Sequence, residues 1–299
     1  MKKFTLLLVT VFTVNFAFSQ FYVSASGGYA IPSAGVKMGE KITTSETEVT
    51  YGSFGEGLNG QLRFGYQIDE TFGVELGIGY LHGDDQIKSD VNIPNYRMTD
   101  AIARGRAFGV LPQLTYRFND HFYGRIGALL KVGGKTEAIV DDKNYIADEA
   151  SGTTISTAFG LPAGAFTHTN YTVDFHGRLP LGVVAALGYK WDIGNNMSFF
   201  TELEYMGVSV TRKDSEFVAF NTDVVLADGT VAVEGLYTLD NLPAGYVKET
   251  EYVDDLDSAT LAANGDDPYP AKKLSETVPY SSFGINFGIT YTFSKKEKN

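Results

Sequence analysis

The stretch that decides the fold is Phe283–Phe293, "FGINFGITYTF", close to the end of the 299-residue chain. Its residues alternate between two faces without exception. One face is apolar and the other is small or polar: Phe283, Ile285, Phe287, Ile289, Tyr291 and Phe293 against Gly284, Asn286, Gly288, Thr290 and Thr292. A period of two residues is typical of a β-strand. The apolar face of this strand must meet either a protein core or lipid.

Seven earlier segments show the same alternation, at residues 21–31, 58–68, 72–80, 108–118, 122–132, 181–191 and 199–205. Short turns at Asp69, Asn119 and Asp192 join some of these strands. Long polar segments join the others, at residues 33–53, 82–104, 134–170 and 212–278. Short turns at one end and long loops at the other are typical of outer-membrane barrels. We therefore predict an all-β fold, an eight-stranded antiparallel up-and-down transmembrane β-barrel with long extracellular loops.

Alternation alone does not say which face points into the barrel. A soluble periplasmic barrel would turn its apolar face inward, whereas a membrane barrel turns it outward. Aromatic residues collect near strand ends, for example Tyr189 and Trp191, as they do in the interfacial girdles of membrane barrels. Loops longer than about 15 residues without their own structure are also uncommon in compact soluble domains. These features favour the membrane barrel, in the outer membrane of a Gram-negative bacterium, and leave the soluble barrel as the alternative.

Charged residues lie on the predicted lumen face. Five are cations and four are carboxylates: Arg63, Arg117, Arg125, Lys131 and Lys190 with Glu75, Asp192, Glu202 and Glu204. Eight strands leave an interior just wide enough for side chains to fill. A ring of one sign would be expected of a selective pore, whereas nearly balanced charge predicts an internal ion-pair network.

The two ends of the chain carry targeting features. The first residues, "MKKFTLLLVTVFTVNFAFSQ", combine a basic start, a short apolar run and small residues, which is typical of a cleaved secretory signal. We expect cleavage between Ser19 and Gln20, a barrel over residues 20–293 and a short periplasmic tail over residues 294–299, with no peptidoglycan-binding domain. The chain has no cysteine, which excludes disulfides, a lipid-modified cysteine and thiolate metal sites.

Four residues of the last strand carry a resemblance to a known family. Asn286, Gly288, Tyr291 and Phe293 match a terminal signature of a polar residue, a glycine two positions later and aromatic residues at alternate positions. In this respect the chain resembles the small outer-membrane β-barrel proteins of Gram-negative bacteria, of the OmpA, OmpX and OmpW type. The resemblance implies that these residues are an assembly signal and that the barrel-assembly machinery is a partner during insertion. In that family the final aromatic ends the chain, whereas here Ser294–Asn299 follow.

The last long segment dominates the charge. Between Lys213 and Glu276 the chain has fourteen carboxylates and four lysines, and the net charge of the whole chain is −12. This sign excludes nucleic acid as a partner, because phosphate binding requires cations. A membrane barrel implies outer-membrane lipid and lipopolysaccharide as its surroundings. The sequence identifies no extracellular ligand.

Two local patterns occur inside this segment. The stretch Val224–Val233, "VVLADGTVAV", predicts a hairpin with Asp228 and Gly229 at its turn. The acidic pairs Asp254-Asp255 and Asp266-Asp267 lack the ordered ligand spacing of an EF-hand, so a solvated acidic loop is favoured over a Ca²⁺ site. No cofactor and no metal site are predicted.

The sequence favours a role without catalysis. The histidines His82, His121, His168 and His176 form no recognisable arrangement with a serine or a carboxylate in the sequence. We interpret the protein as structural or surface-binding, acting through its acidic extracellular loops. A narrow channel or transporter for small apolar solutes, resembling the OmpW type, is the alternative, and a lipid-modifying enzyme is the least favoured.

Overall fold

Eight antiparallel strands form the body of the protein. The computed structural model describes residues 20–33, 35–265 and 269–293. The body consists of β1 (Gln20–Pro32), β4 (Gly57–Gln67), β5 (Phe72–Gly83), β7 (Arg97–Arg117), β8 (Phe122–Asn144), β12 (Leu181–Gly194), β13 (Met197–Gly207) and β19 (Ser282–Phe293). They match all eight segments that the alternation predicts, with only Ile68 and Phe118 falling one residue beyond their strands, so the eight-stranded prediction is confirmed.

The strands close into a barrel. Each pairs with the next around the ring, β1 with β4, then β5, β7, β8, β12, β13 and β19. Strand β19 returns to β1 in an antiparallel register that places Phe293 opposite Phe21 and Ser282 opposite Pro32. The ring therefore has no free edge, which is the condition for a sheet to cross a membrane.

The outer wall of this barrel is apolar and its interior is polar. Ile285 and Leu203 are 51% and 64% exposed, whereas Arg63 and Glu202 are 2% and 1% exposed. A continuous apolar exterior around buried charges is the reverse of a soluble protein and suits contact with lipid. The chain is an outer-membrane β-barrel, and the soluble-barrel alternative is wrong.

Aromatic rings mark both ends of the wall. At the end with the short turns and the two chain ends of the barrel, here called the turn end, rings pair at 4.6–4.9 Å in Phe21–Tyr66, Tyr189–Trp191 and Tyr291–Phe293. At the opposite end, here called the head end, rings pair at 4.8 and 5.0 Å in Tyr80–Phe108 and Tyr205–Phe283. Two such belts fit the two interfaces of a bilayer.

The long segments at the head end have secondary structure of their own. They form a second β-region, here called the head, from β2 (Val36–Thr43), β3 (Thr47–Gly52), β6 (Gln86–Ile93), β9 (Ile146–Asp148), β10 (Thr153–Thr154), α1 (Ile155–Phe159), β11 (Phe166–Gly177), β14 (Ser209–Val225), β15 (Val231–Thr238), β16 (Glu249–Val253), α2 (Ser258–Asn264), β17 (Lys272–Leu274) and β18 (Thr277–Pro279). Strands β7 and β8 extend into it and reach 21 and 23 residues.

The head continues the barrel wall. Strand β11 pairs with the upper part of β8 and with β14, which follows β13 after a single residue. The overlying segments pack aromatic residues against this sheet, in a core of Val173, Phe217 and Phe220 with partly buried Tyr171, Tyr246 and Tyr269. Strands β11 and β14 carry polar residues on both faces, and the aromatic core covers part of one face. The alternation of apolar and polar residues along these strands is therefore weak. The head thus extends the barrel wall by more than the predicted hairpin alone.

The predicted hairpin is confirmed. Val224 pairs with Val233 across β14 and β15, and Leu226 N–H donates to the Thr230 carbonyl at 2.8 Å. Gly229 has φ +87°, a conformation that glycine adopts without strain.

The predictions for the two ends of the chain fall mostly outside the described residues. Ser19 and the tail over residues 294–299 lie outside the described residues, and Gln20 begins β1. The predicted signal cleavage therefore stays a prediction. The helices α1 and α2 have five and seven residues, and the described part of the chain contains no helix that is long and apolar enough to cross a membrane.

Ile285→Lys should lower the fraction that folds into lipid vesicles, because a cation on the lipid face near the bilayer midplane costs about 2–4 kcal/mol. Ile285→Val keeps that face apolar and should fold like the wild type. Thr290→Ser is the lumen-face control, since it keeps the hydroxyl that contacts Ser24 at 2.8 Å. The measure is the folded band in unheated SDS gels. Equal folding of Ile285→Lys and Thr290→Ser would contradict the lipid-facing assignment.

Candidate functional site

The lumen contains a compact cluster of charged side chains. Five of the residues on the predicted lumen face meet there, and we call them the ion network: Arg63 on β4, Glu75 on β5, Arg125 on β8, and Glu202 and Glu204 on β13. All five are less than 9% exposed. Their neighbours in the sequence point to lipid, because side chains alternate along a strand.

Glu202 is the centre of this network. Its carboxylate accepts hydrogen bonds from Arg63 Nη1 at 2.8 Å and from Arg125 Nη2 and Nε at 2.7 and 3.1 Å. The Tyr123 hydroxyl donates to it at 2.6 Å. Two guanidinium groups therefore compensate one carboxylate, and buried ions need such direct partners.

Glu204 extends the network toward β19. It forms an ion pair with Arg125 and accepts from Gln61 Nε2 at 2.8 and 3.0 Å and from Asn286 Nδ2 at 3.1 Å. Arg125 Nη1 in turn donates to Gln113 Oε1 at 2.7 Å. The contacts of Glu204 with Gln61 and Asn286 join residues that are 143 and 82 positions apart in the chain.

Glu75 completes the other side. Its Oε1 lies 3.4 Å from Arg63 Nε, and its Oε2 accepts from the Tyr22 hydroxyl at 3.1 Å. The Arg63 guanidinium also lies over the Phe200 ring, 4.8 Å from the ring centroid. A cation above an aromatic face adds to the attraction that holds Arg63 in place.

Four of the predicted lumen charges stand apart from the ion network. Lys131 lies nearer the head end, with Nζ 5.7 Å from the centroid of the Tyr280 ring. Arg117 and Lys190 line a cavity at the turn end, and Asp192 is exposed and accepts from Ser198 Oγ at 2.7 Å. The predicted single network is thus divided by depth along the barrel axis.

An apolar layer, here called the cap, covers the ion network toward the head. It contains Phe54, Leu111, Leu129, Val184, Val208 and Tyr280, all less than 9% exposed. The Tyr280 hydroxyl is 2.6 Å from Thr136 Oγ1. A Cβ on Gly105 would lie 2.8 Å from the Phe54 carbonyl oxygen, so the close approach of this chain segment requires glycine there.

Sequence reasoning missed the cap. Phe54 and Tyr280 lie outside the predicted strands, in segments that the alternation assigns to connections. The only local signal is an aromatic residue next to glycine in the stretch "SFGEG" at residues 53–57. That signal does not say which distant strands the ring will meet.

Two small cavities lie on either side of the ion network. The one at the head side has a volume of about 60 Å³ and is lined by residues that include Asn59, Gln61 and Lys131. The one at the turn side has a volume of about 70 Å³ and includes Arg63, Arg117 and Lys190 in its lining. Each has room for a few water molecules.

The four residues of the terminal signature fall on both faces of β19. Asn286 is buried and donates to Glu204. A Cβ on Gly288 would lie 2.3 Å from Phe200 Cζ, so this glycine makes room for a lumen side chain. Tyr291 and Phe293 face lipid with ring centroids 4.9 Å apart. Asn286 and Gly288 therefore have packing roles in the folded barrel, whatever their part in assembly.

Two of the four histidines lie next to a carboxylate, although the sequence shows no recognisable arrangement for them. His168 Nε2 lies 3.0 Å from Asp141 Oδ2, and His176 Nδ1 lies 2.7 Å from Asp214 Oδ1. Both pairs sit on the exposed part of β11, where cross-strand contacts bring distant residues together. Within the described residues neither imidazole hydrogen-bonds to a serine or threonine hydroxyl, so no catalytic triad is formed.

The described ranges contain no group of three or more histidine or acidic side chains arranged to hold a metal ion. Asp254 and Asp255 lie at the end of β16, where Asp254 is paired with Arg178 at 2.8 Å. Asp266 and Asp267 lie outside the described residues.

Comparison with known proteins gives only fold-level likenesses. No family model matches the chain, and no curated protein matches it in sequence. A major outer membrane protein from Thermus thermophilus is similar over 92% of this chain and 99% of its own, with 11% identity and a TM-score of 0.32. Acinetobacter baumannii CarO is similar over 90% of this chain and 97% of its own, with 12% identity and a TM-score of 0.28. Scores this low carry no argument about function.

Glu202→Gln should destabilise the folded barrel strongly, by about 3–5 kcal/mol, because it removes the carboxylate that the buried Arg63 and Arg125 guanidinium groups share. Asp254→Asn removes one partner of the exposed Arg178 pair in the head and should shift stability far less. Denaturant midpoints in lipid vesicles, followed by the fluorescence of Trp191, the single tryptophan, measure both. Equal shifts for the two variants would show that the ion network contributes no more than a surface pair.

Proposed function

We propose that this protein is a structural or surface-binding outer-membrane protein, in which the barrel is a closed anchor and the head is the working part. The observation that carries this proposal is the double closure of the lumen. The ion network fills one level of the barrel, and the cap fills the level above it. Solute passage would have to disrupt both layers.

The ion network resists opening. Arg63 and Arg125 each hold carboxylates on more than one side. Separating a buried pair leaves an uncompensated ion, which costs several kcal/mol. A small apolar solute offers no group to replace those partners, so its transport through this lumen is disfavoured.

The head offers a charged surface instead. Ion pairs order some of its groups, among them Lys135–Asp174 at 2.7 Å and Arg178–Asp254 at 2.8 Å. The hydrogen bond to Asp174 raises the pKa of Lys135, and hydrogen bonds from Arg178 and Ser275 lower the pKa of Asp254. These groups stay charged at neutral pH, and the excess of carboxylates over lysines favours a cationic partner.

The apolar wall supplies the other contacts of the proposed role. Its exposed Leu, Ile and Phe side chains would take up the acyl chains of outer-membrane lipid and of lipopolysaccharide. The predicted topology places the head outside the cell and the turn end in the periplasm.

Excising the acidic part of the head tests whether the barrel and the head have separate roles. Thr211 and Thr277 are paired across β14 and β18, so replacing Arg212–Glu276 with Asn-Gly would close a short hairpin at that pair. Wild type and excised protein should both show no sustained conductance in planar bilayers, because the ion network and cap lie below the cut. Cells carrying the excised protein should lose binding of lysine-rich probe peptides.

Sustained conductance or uptake of small solutes by the wild-type protein would instead favour the channel alternative. Conductance confined to the excised protein would identify the head as a gate. Both results would overturn the closed-anchor proposal.

Tyr291 and Phe293 are also proposed to belong to an assembly signal, because they match the terminal signature. Phe293→Ala should lower the amount of folded protein in the outer membrane of cells while purified protein refolds into vesicles nearly normally. Phe72→Ala is the matched control, because Phe72 is equally exposed, at 52% against 51%, and lies in the same aromatic belt. Equal losses for the two variants in cells would count against a signal specific to β19.

A further inference from the structure

The cavity at the turn end has a lining that none of the roles above uses. It extends from Asn119, in the short turn before β8, to the Arg63–Glu75 pair of the ion network. Hydroxyl groups line much of it, from Ser24, Thr115, Ser198, Thr290 and Thr292. We call this space the vestibule.

Two cations in the vestibule make no direct contact with a carboxylate. Arg117 and Lys190 both lie on the lumen face, and within the described residues neither side chain forms an ion pair or a hydrogen bond. Asp192 and Asp120 act on Lys190 only through space. Together with the ion network and Asp192, the lumen face from the cap to the turn end has four cations and four carboxylates: Arg63, Arg117, Arg125 and Lys190 with Glu75, Asp192, Glu202 and Glu204. The charges balance in number, but among the described residues Arg117 and Lys190 are left without a carboxylate at ion-pair distance.

The positions of these two cations suit a ligand between them. Arg117 lies opposite Tyr123 of β8, and on the other side of β8 Tyr123 lies opposite Gly188, two residues before Lys190. The strands that carry the cations are therefore separated by one strand, and their backbones lie about 10 Å apart. Two long cationic side chains and a small anion fill a gap of that width.

The vestibule is also lined by a buried hydroxyl. Thr115 is 7% exposed and contacts the Tyr22 hydroxyl beside the space. The Glu75 carboxylate, which would repel an anion, is engaged by Arg63 and Tyr22. A volume of about 70 Å³ leaves room for a small anion such as a tetrahedral oxyanion.

We propose that the vestibule is a binding site for a small oxyanion of the phosphate class, held by Arg117 and Lys190. The guanidinium offers paired donors to two anion oxygens, and the ammonium supplies a point charge. The bound anion would give these two cations the direct counterion that no described carboxylate supplies. The site faces the periplasm in the predicted topology and is independent of what the head binds.

Titration of the folded full-length protein with inorganic phosphate, in glucoside detergent micelles that contain no phosphate, tests the site. Calorimetry should show saturable binding of one phosphate per barrel, and sulfate should compete. Arg117→Gln and Lys190→Gln should each weaken binding about tenfold or more, because each removes charge-assisted hydrogen bonds to the anion. Unheated SDS gels establish beforehand that each variant is folded.

Lys131→Gln and Lys143→Gln are the matched controls. Lys131 lies above the ion network and Lys143 lies on the part of β8 in the head, so both remove a positive charge away from the vestibule. Each should change phosphate affinity less than about twofold, since distant charges are screened. Absence of saturable binding, or binding that survives both Arg117→Gln and Lys190→Gln, would overturn the proposal.

Discussion

The pairing of β19 with β1 is the constraint on which the rest of the structure depends. Inside a bilayer each unpaired backbone N–H or C=O costs several kcal/mol, so a sheet with a free edge cannot remain there. The twelve residue pairs from Phe21–Phe293 to Pro32–Ser282 remove that edge. Once the ring is closed, every second side chain must point to lipid and every other one into a narrow lumen. Polar groups therefore have to satisfy one another inside.

The ion network does more than neutralise buried charge. A slip of one residue between neighbouring strands would turn charged side chains to lipid, so the apolar wall already excludes it. A slip of two residues keeps all faces correct and is invisible to hydropathy. It would, however, move Arg63 and Arg125 away from Glu202, with which they are paired at 2.8 and 2.7 Å. The network therefore selects one register among those that the apolar wall allows.

The sequence predicts the barrel well because lipid imposes a strict rule on every residue of a spanning strand. Segments such as Phe283–Phe293 obey it, and all eight strands follow from it. In the head no such rule applies, since water and a small aromatic core share the faces of β11 and β14. Only the hairpin between β14 and β15 is predicted there, from its turn residues.

Alternation also predicts which charges point inward but not how deep they lie. Depth depends on the stagger between strands around the ring, which a pattern along one strand does not contain. Arg63, Glu75, Arg125, Glu202 and Glu204 share one level, whereas Lys131 lies above it and Arg117 and Lys190 lie below it. The cap depends on contacts between distant segments, such as Phe54 with Tyr280 at 5.6 Å between ring centroids, and these have no local signature.

The length of β8 sets how far the head rises above the barrel. Its 23 residues span about 75 Å along the strand at about 3.3 Å per residue. With a tilt of about 40°, typical of such barrels, that length rises roughly 55–60 Å along the membrane normal. The apolar band of an outer-membrane barrel is about 25 Å tall, so the tip of β8 stands about 30 Å beyond it. In the proposed topology, with the head outside the cell, a partner would meet the acidic head above the layer of lipid head groups and inner sugars.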